Sequence, residues 1–131
     1  MTQTFSFVYS DPYGFADVNW AQMHFGAQLQ GDNVCYAQYT RATNTVQLIN
    51  NAGSGYVGSG GTLGSAGTVA NSQCTLNLGA SSSSGSGNNL TVNLSITFAP
   101  GFAGAKTTSM GVTNNASIFS GWQGKGAWTV Q

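Results

Sequence analysis

The chain has 131 residues, enough for one domain of ordinary size that buries about two-thirds of the surface its unfolded form exposes. Only 5% of the residues are charged: Asp11, Asp17 and Asp32 against Arg41, Lys106 and Lys125, with no glutamate and no formal net charge. Three scattered bases cannot neutralise a run of phosphates, which argues against nucleic acid, and no apolar stretch approaches the 18 or so residues of a membrane-spanning helix. The apolar share of 40% is ordinary for a folded protein, so solubility must rest on Ser, Thr, Asn, Gln and Gly. Met1 to Phe5 lacks the basic and apolar regions of a signal peptide. Two origins are open, a cytosolic chain or a piece of a longer exported protein, and the second suits the remaining features better.

Alternation of apolar and polar residues, the mark of a strand with one buried face, recurs from end to end. Phe5, Phe7 and Tyr9 give the first such strand. Ala21, Met23 and Phe25 give the next, with Val18 and Trp20 out of phase before them, so a bulge or bend is expected near Asn19. Cys35, Ala37 and Tyr39 follow, then a polar turn at Arg41 to Asn44, then Val46 and Leu48. Cys74, Leu76 and Leu78 form another inward row. The clearest strand runs from Leu90 to Phe98, and Lys106 to Thr113 and Ala127 to Val130 supply the last two. Gly-, Ser- and Asn-rich turns are expected at Asn51 to Gly61 and Ala80 to Asn89, residues 79–87 reading as a hairpin tip or flexible loop. No segment carries a capped helical period, and no internal repeat is visible. Short strands parted by turns argue for a sandwich or barrel.

Few residues invite chemistry. Asp11 and Asp17 bracket a Pro-Tyr-Gly turn and could offer two carboxylates to calcium, with only Asp32 as a third; an ordinary turn explains the same residues, and no metal site is assigned. Gly53-Ser54-Gly55-Tyr56-Val57-Gly58 has the spacing of a dinucleotide fingerprint but lacks the following helix and acid, so no cofactor is expected. His24, the one imidazole, alternates with Met23 and Phe25 and should face water; with no serine elbow beside it, no catalytic residue is assigned. The spacing of Cys35 and Cys74 fits no zinc pattern, and either buried thiols or a disulfide would suit two strand-like rows. The aromatics are the best sign of binding. Trp20, Tyr36, Tyr56 and Trp122 are the candidate ligand-binding residues, since exposed planar rings stack on sugars, while a core role is the competing reading for Trp20 and Trp128.

The segments Thr4-Phe5-Ser6-Phe7-Val8-Tyr9-Ser10-Asp11-Pro12-Tyr13-Gly14, Asn71-Ser72-Gln73-Cys74, Gly85-Ser86-Gly87-Asn88-Asn89-Leu90-Thr91 and Ser120-Gly121-Trp122-Gln123-Gly124 carry a resemblance. The whole chain resembles bacterial extracellular repeat domains with an immunoglobulin-like or fibronectin-like β-sandwich fold. The sequence departs from them at Asn114-Asn115-Ala116, where such domains often place an acid before Asn-Ala-Gly. The resemblance implies one antiparallel immunoglobulin-like sandwich over residues 1–131, of about seven to nine strands. It also implies a Cys35–Cys74 bridge and export to the cell surface or medium. The expected function is a non-catalytic structural or adhesive module, with neighbouring domains or other surface proteins as partners. The alternative is a carbohydrate-binding module with polysaccharide as partner.

Overall fold

The computed structural model describes residues 2–130, which form ten strands. These are β1 (Thr2–Ser10), β2 (Val18–Gly26), β3 (Cys35–Thr40), β4 (Thr45–Leu48), β5 (Gly61–Thr62), β6 (Thr68–Ala70), β7 (Cys74–Ser86), β8 (Asn89–Phe98), β9 (Gly104–Asn114) and β10 (Gln123–Val130). They make an antiparallel sandwich of a four-stranded sheet, in the order β1-β8-β7-β6, and a six-stranded one, β10-β9-β2-β3-β4-β5. The count exceeds the expected range because β5 and β6, with two and three residues, are too short to show a period in the sequence.

Every row of alternating residues faces inward as its period requires. Leu90, Val92, Leu94, Ile96 and Phe98 of β8 are all buried, facing Ala21, Met23 and Phe25 of β2 and Cys35, Ala37 and Tyr39 of β3 across the sandwich. Each large side chain so buried is worth about 1.5–3 kcal/mol. The expected bulge is present: the β2–β9 register shifts between Val18 and Trp20. Arg41 satisfies the backbone carbonyls there, donating through Nε to Val18 (2.9 Å) and through its backbone N–H to Asn19 (3.1 Å).

The loop expected over residues 79–87 is largely strand. β7 continues to Ser86, and only Gly87 and Asn88 turn, with Gly87 at φ +59°, a conformation that glycine adopts without steric cost. Serine and glycine are poor strand formers, but β8 pairs with Ser82 to Ser86 residue by residue, and pairing overrides propensity. A register shift separates Asn77 from Ser82. The Ser81 hydroxyl fills that gap, accepting from the Ser95 N–H (3.0 Å) and donating to the Asn77 carbonyl (2.7 Å).

Cys35 of β3 and Cys74 of β7 form a disulfide that joins the two sheets, with their Cα atoms 5.8 Å apart. Beside it, Asn71 donates to the carbonyls of Val34 (3.0 Å) and Ile49 (2.9 Å) and accepts from the N–H groups of Gln73 (2.8 Å) and Cys74 (2.9 Å). Its amide thus has all four hydrogen-bonding positions filled. Closing a loop with a sequence separation of 39 stabilises by about 4 kcal/mol in the chain-entropy model. The double variant Cys35→Ala, Cys74→Ala should therefore lose about that much in urea denaturation. Never-reduced protein should resist thiol labelling, and quantitative labelling of both cysteines in the folded state would refute the bridge.

Candidate functional site

Because Ala21, Met23 and Phe25 face the core, β2 turns Trp20, Gln22 and His24 to the outer face of the six-stranded sheet. In register beside them on β3 lie Thr40, Gln38 and Tyr36, and on β9 Thr113, Gly111 and Ser109. The Gln22 amide donates to Gln38 Oε1 at 3.3 Å. The chain then turns back after Asn114 and runs along β9, held by two hydrogen bonds: the Ser120 N–H donates to the Val112 carbonyl (2.8 Å) and the Val112 N–H to Ser120 Oγ (3.0 Å). This return lays Phe119 and Trp122 across the outer face. Gly111 makes room for them, since a Cβ there would lie 2.6 Å from the Phe119 ring and 3.5 Å from that of Trp122.

The result is an aromatic cluster. Trp122 meets Tyr36 edge-on with ring centroids 5.2 Å apart, His24 at 5.9 Å and Phe119 at 5.8 Å; Tyr36 meets His24 at 5.6 Å. An open groove of about 340 Å³ runs beside it, lined by His24, Leu29, Gln30, Gly31, Tyr36 and Trp122. Partial burial, and after it the neighbouring Tyr56, raises the Tyr36 phenol above its ordinary value. Of the four aromatics nominated from the sequence, Tyr36 and Trp122 come together, and Tyr56 neighbours Tyr36 without lining the groove. Trp20 shares the face but stands four residues from His24, about 13 Å along the strand, beyond the Gln22–Gln38 pair. Trp20 is half-buried there, outside the core assigned to it by the competing reading. Trp128 does pack on the core, 5.3 Å from Phe5.

His24 requires a correction. It does point away from the core, but it is 1% exposed rather than wet, because Tyr36, Trp122 and residues 29–31 cover it. The Nε2–H donates to the Gln30 carbonyl at 2.7 Å, which leaves Nδ1 unprotonated and without a hydrogen-bond partner among the described residues. Burial lowers its proton affinity, so the ring is neutral. Nothing in the local pattern signals the covering loop, nor the part of Phe119 and Leu29, although shared parity with Trp20 and Gln22 does place His24 on this face.

Asp11 and Asp17 meet at the β1–β2 end. Asp11 Oδ1 accepts from the Tyr13 N–H (2.8 Å), as a turn-opening Asp does. Partial burial, and after it the Asp11 carboxyl, raises Asp17 above the ordinary carboxylate value. Asp32 sits past the opposite end of β2, and among the described residues no three metal-ligating side chains cluster. No family model, curated protein or solved structure matches this chain.

Folded His24 takes up a proton less readily than unfolded His, whose ordinary value is 6.5. The stability it permits is therefore full above that value and falls as pH drops below it. Urea denaturation of the wild type should show this fall, and His24→Gln should flatten it. Subtracting the two profiles removes Asp17, whose raised value acts in the opposite sense, favouring the fold at low pH and losing that share as pH rises. Identical profiles would refute the buried neutral imidazole. Gly111→Val should displace Phe119 and Trp122, read as a red shift of tryptophan emission with only a small loss of melting temperature.

Proposed function

We propose that this chain is a non-catalytic structural or adhesive module, immunoglobulin-like in kind, of a secreted or surface-bound protein. The observation that carries the reading is the strand order. A variable-type immunoglobulin sandwich sets strands G, F, C, C′ and C″ in one sheet and B, E and D, with A beside B, in the other. The order β10-β9-β2-β3-β4 follows the first sheet and β1-β8-β7 the second. The outer edge of β1, where strand A would lie, has no strand among the described residues. The bridge joins the C′ and D equivalents, unlike the B–F bridge of antibody domains. A disulfide supports an oxidising compartment and hence export. The covered His24 and the turn-bound Asp11 support a role without catalysis. Neighbouring domains or other surface proteins are then the partners, and no cofactor is required.

The aromatic groove supports a second reading, polysaccharide binding. Rings that offer apolar faces beside amides suit a sugar, whose C–H face stacks while its hydroxyls bond. Tyr56, 39% exposed, and Tyr36 are the residues to change, since Trp122 also holds the return after β9 together.

Pull-down on insoluble cellulose, chitin and xylan should show no retention if the module is purely structural. Retention lost in Tyr36→Ala, Tyr56→Ala with the melting temperature nearly kept would favour the sugar reading. A robust hydrolase activity abolished by Asp11→Asn or Asp17→Asn would overturn both.

A further inference from the structure

Among the described residues the two sheets have four free edges: β1 and β6 in one, β10 and β5 in the other. A free edge presents unpaired N–H and C=O groups and templates a further strand, so folded proteins blunt edges with shortness, bulges, charge or proline. Three of these edges are blunted. β5 and β6 have two and three residues. β10 breaks register between Gly124 and Gly126, with Lys125 at the break.

β1 has none of these devices. Its nine residues pair with β8 in unbroken register, from Thr2 opposite Thr97 to Ser10 opposite Asn89. Thr-Gln-Thr-Phe-Ser-Phe-Val-Tyr-Ser contains no charge and no proline. Val8, a β-branched residue suited to a sheet, stands 54% exposed on the wet face.

We propose that β1 is an assembly edge and that its occupant is β1 of a second copy, running antiparallel and joining two four-stranded sheets into one. The strand is self-complementary. Full overlap of the nine residues centres the pairing on Ser6, which sets Thr4 opposite Val8, Thr2 opposite Ser10 and Phe5 opposite Phe7. Inward residues then meet inward ones, as the pleat requires. Hydroxyl, β-branched and aromatic cross-strand pairs are the favourable kinds. No like charges meet in the ladder, and a chain of zero formal net charge sets up little long-range repulsion between copies. The nearby cation, Lys125, belongs to the other sheet and lines a groove with Gln3, Phe5, Ser6 and Phe7, where it adds one positive charge beside the edge but no residue to the ladder. The pairing does not depend on the immunoglobulin-like reading.

Sedimentation equilibrium over a wide concentration range tests this. The wild type should form a reversible dimer. Thr4→Lys, Val8→Lys puts lysine opposite lysine twice in this register and should weaken the dimer about tenfold or more, with circular dichroism and melting temperature unchanged. Thr4→Glu, Val8→Lys sets opposite charges in the same places and should restore it. A wild type that stays monomeric, a dimer indifferent to the lysine pair, or no recovery with the Glu/Lys pair would each overturn the proposal. None of these outcomes would touch the module reading.

Discussion

The two sheets are locked together where the Cys35–Cys74 bridge meets an aromatic cluster, and the rest of the molecule is arranged from that end. Register sets Cys35 beside Phe25 and Cys74 beside Phe98, and those two rings lie 5.4 Å apart. Phe5 packs on both, at 4.7 and 5.9 Å, so β1 is drawn into the same cluster. Asn71 then ties the loop before β7 to the ends of β3 and β4. Once these groups are in place, the relative height of the two sheets is fixed, and each inward row finds its opposite.

With so few charges, amides and hydroxyls do the polar work that ion pairs do elsewhere. Tyr39 Oη, reaching across the sandwich, lies 2.8 Å from Asn44 Oδ1 and 2.7 Å from Ser83 Oγ. Tyr9 donates to the Gln22 carbonyl at 2.7 Å, and burial drives its phenol well above the ordinary value, so it stays a donor. Such bonds are worth about 1 kcal/mol each when made, and losing one partner costs more than that. Salt screens them little, because no net charge is involved.

Much of this was legible in the sequence, and for a simple reason. A strand with one buried face must alternate, so the rows of β1, β2, β3, β7 and β8 could be read directly, as could the phase change that marks the bulge at Asn19. What escaped notice depends on neighbours distant in the chain. Ser82 to Ser86 form a strand because β8 pairs with them, a fact their own composition conceals. His24 is dry because residues 29–31 and Trp122 cover it, and a period of two says which face a residue is on without saying what lies above it. The rings of Tyr36 and Trp122 mark them as binding candidates, but that they meet depends on the return after β9, which the sequence does not announce.

The contact between Phe5 and Trp128 has a mechanical meaning. It brings the start of β1 and the end of β10 to the same end of the sandwich, on the side where both strands are sheet edges. Tension applied between Thr2 and Val130 would therefore not shear the sheets. It would peel β1 from β8 and β10 from β9 one rung at a time, a mode of failure that needs little force because few hydrogen bonds bear load at once. Peeling would strip Phe5 from Phe25 and Phe98, the neighbours of the two cysteines, but the bridge would keep the residues between them from extending, withholding about 140 Å of chain. The domain would yield softly and then stop short.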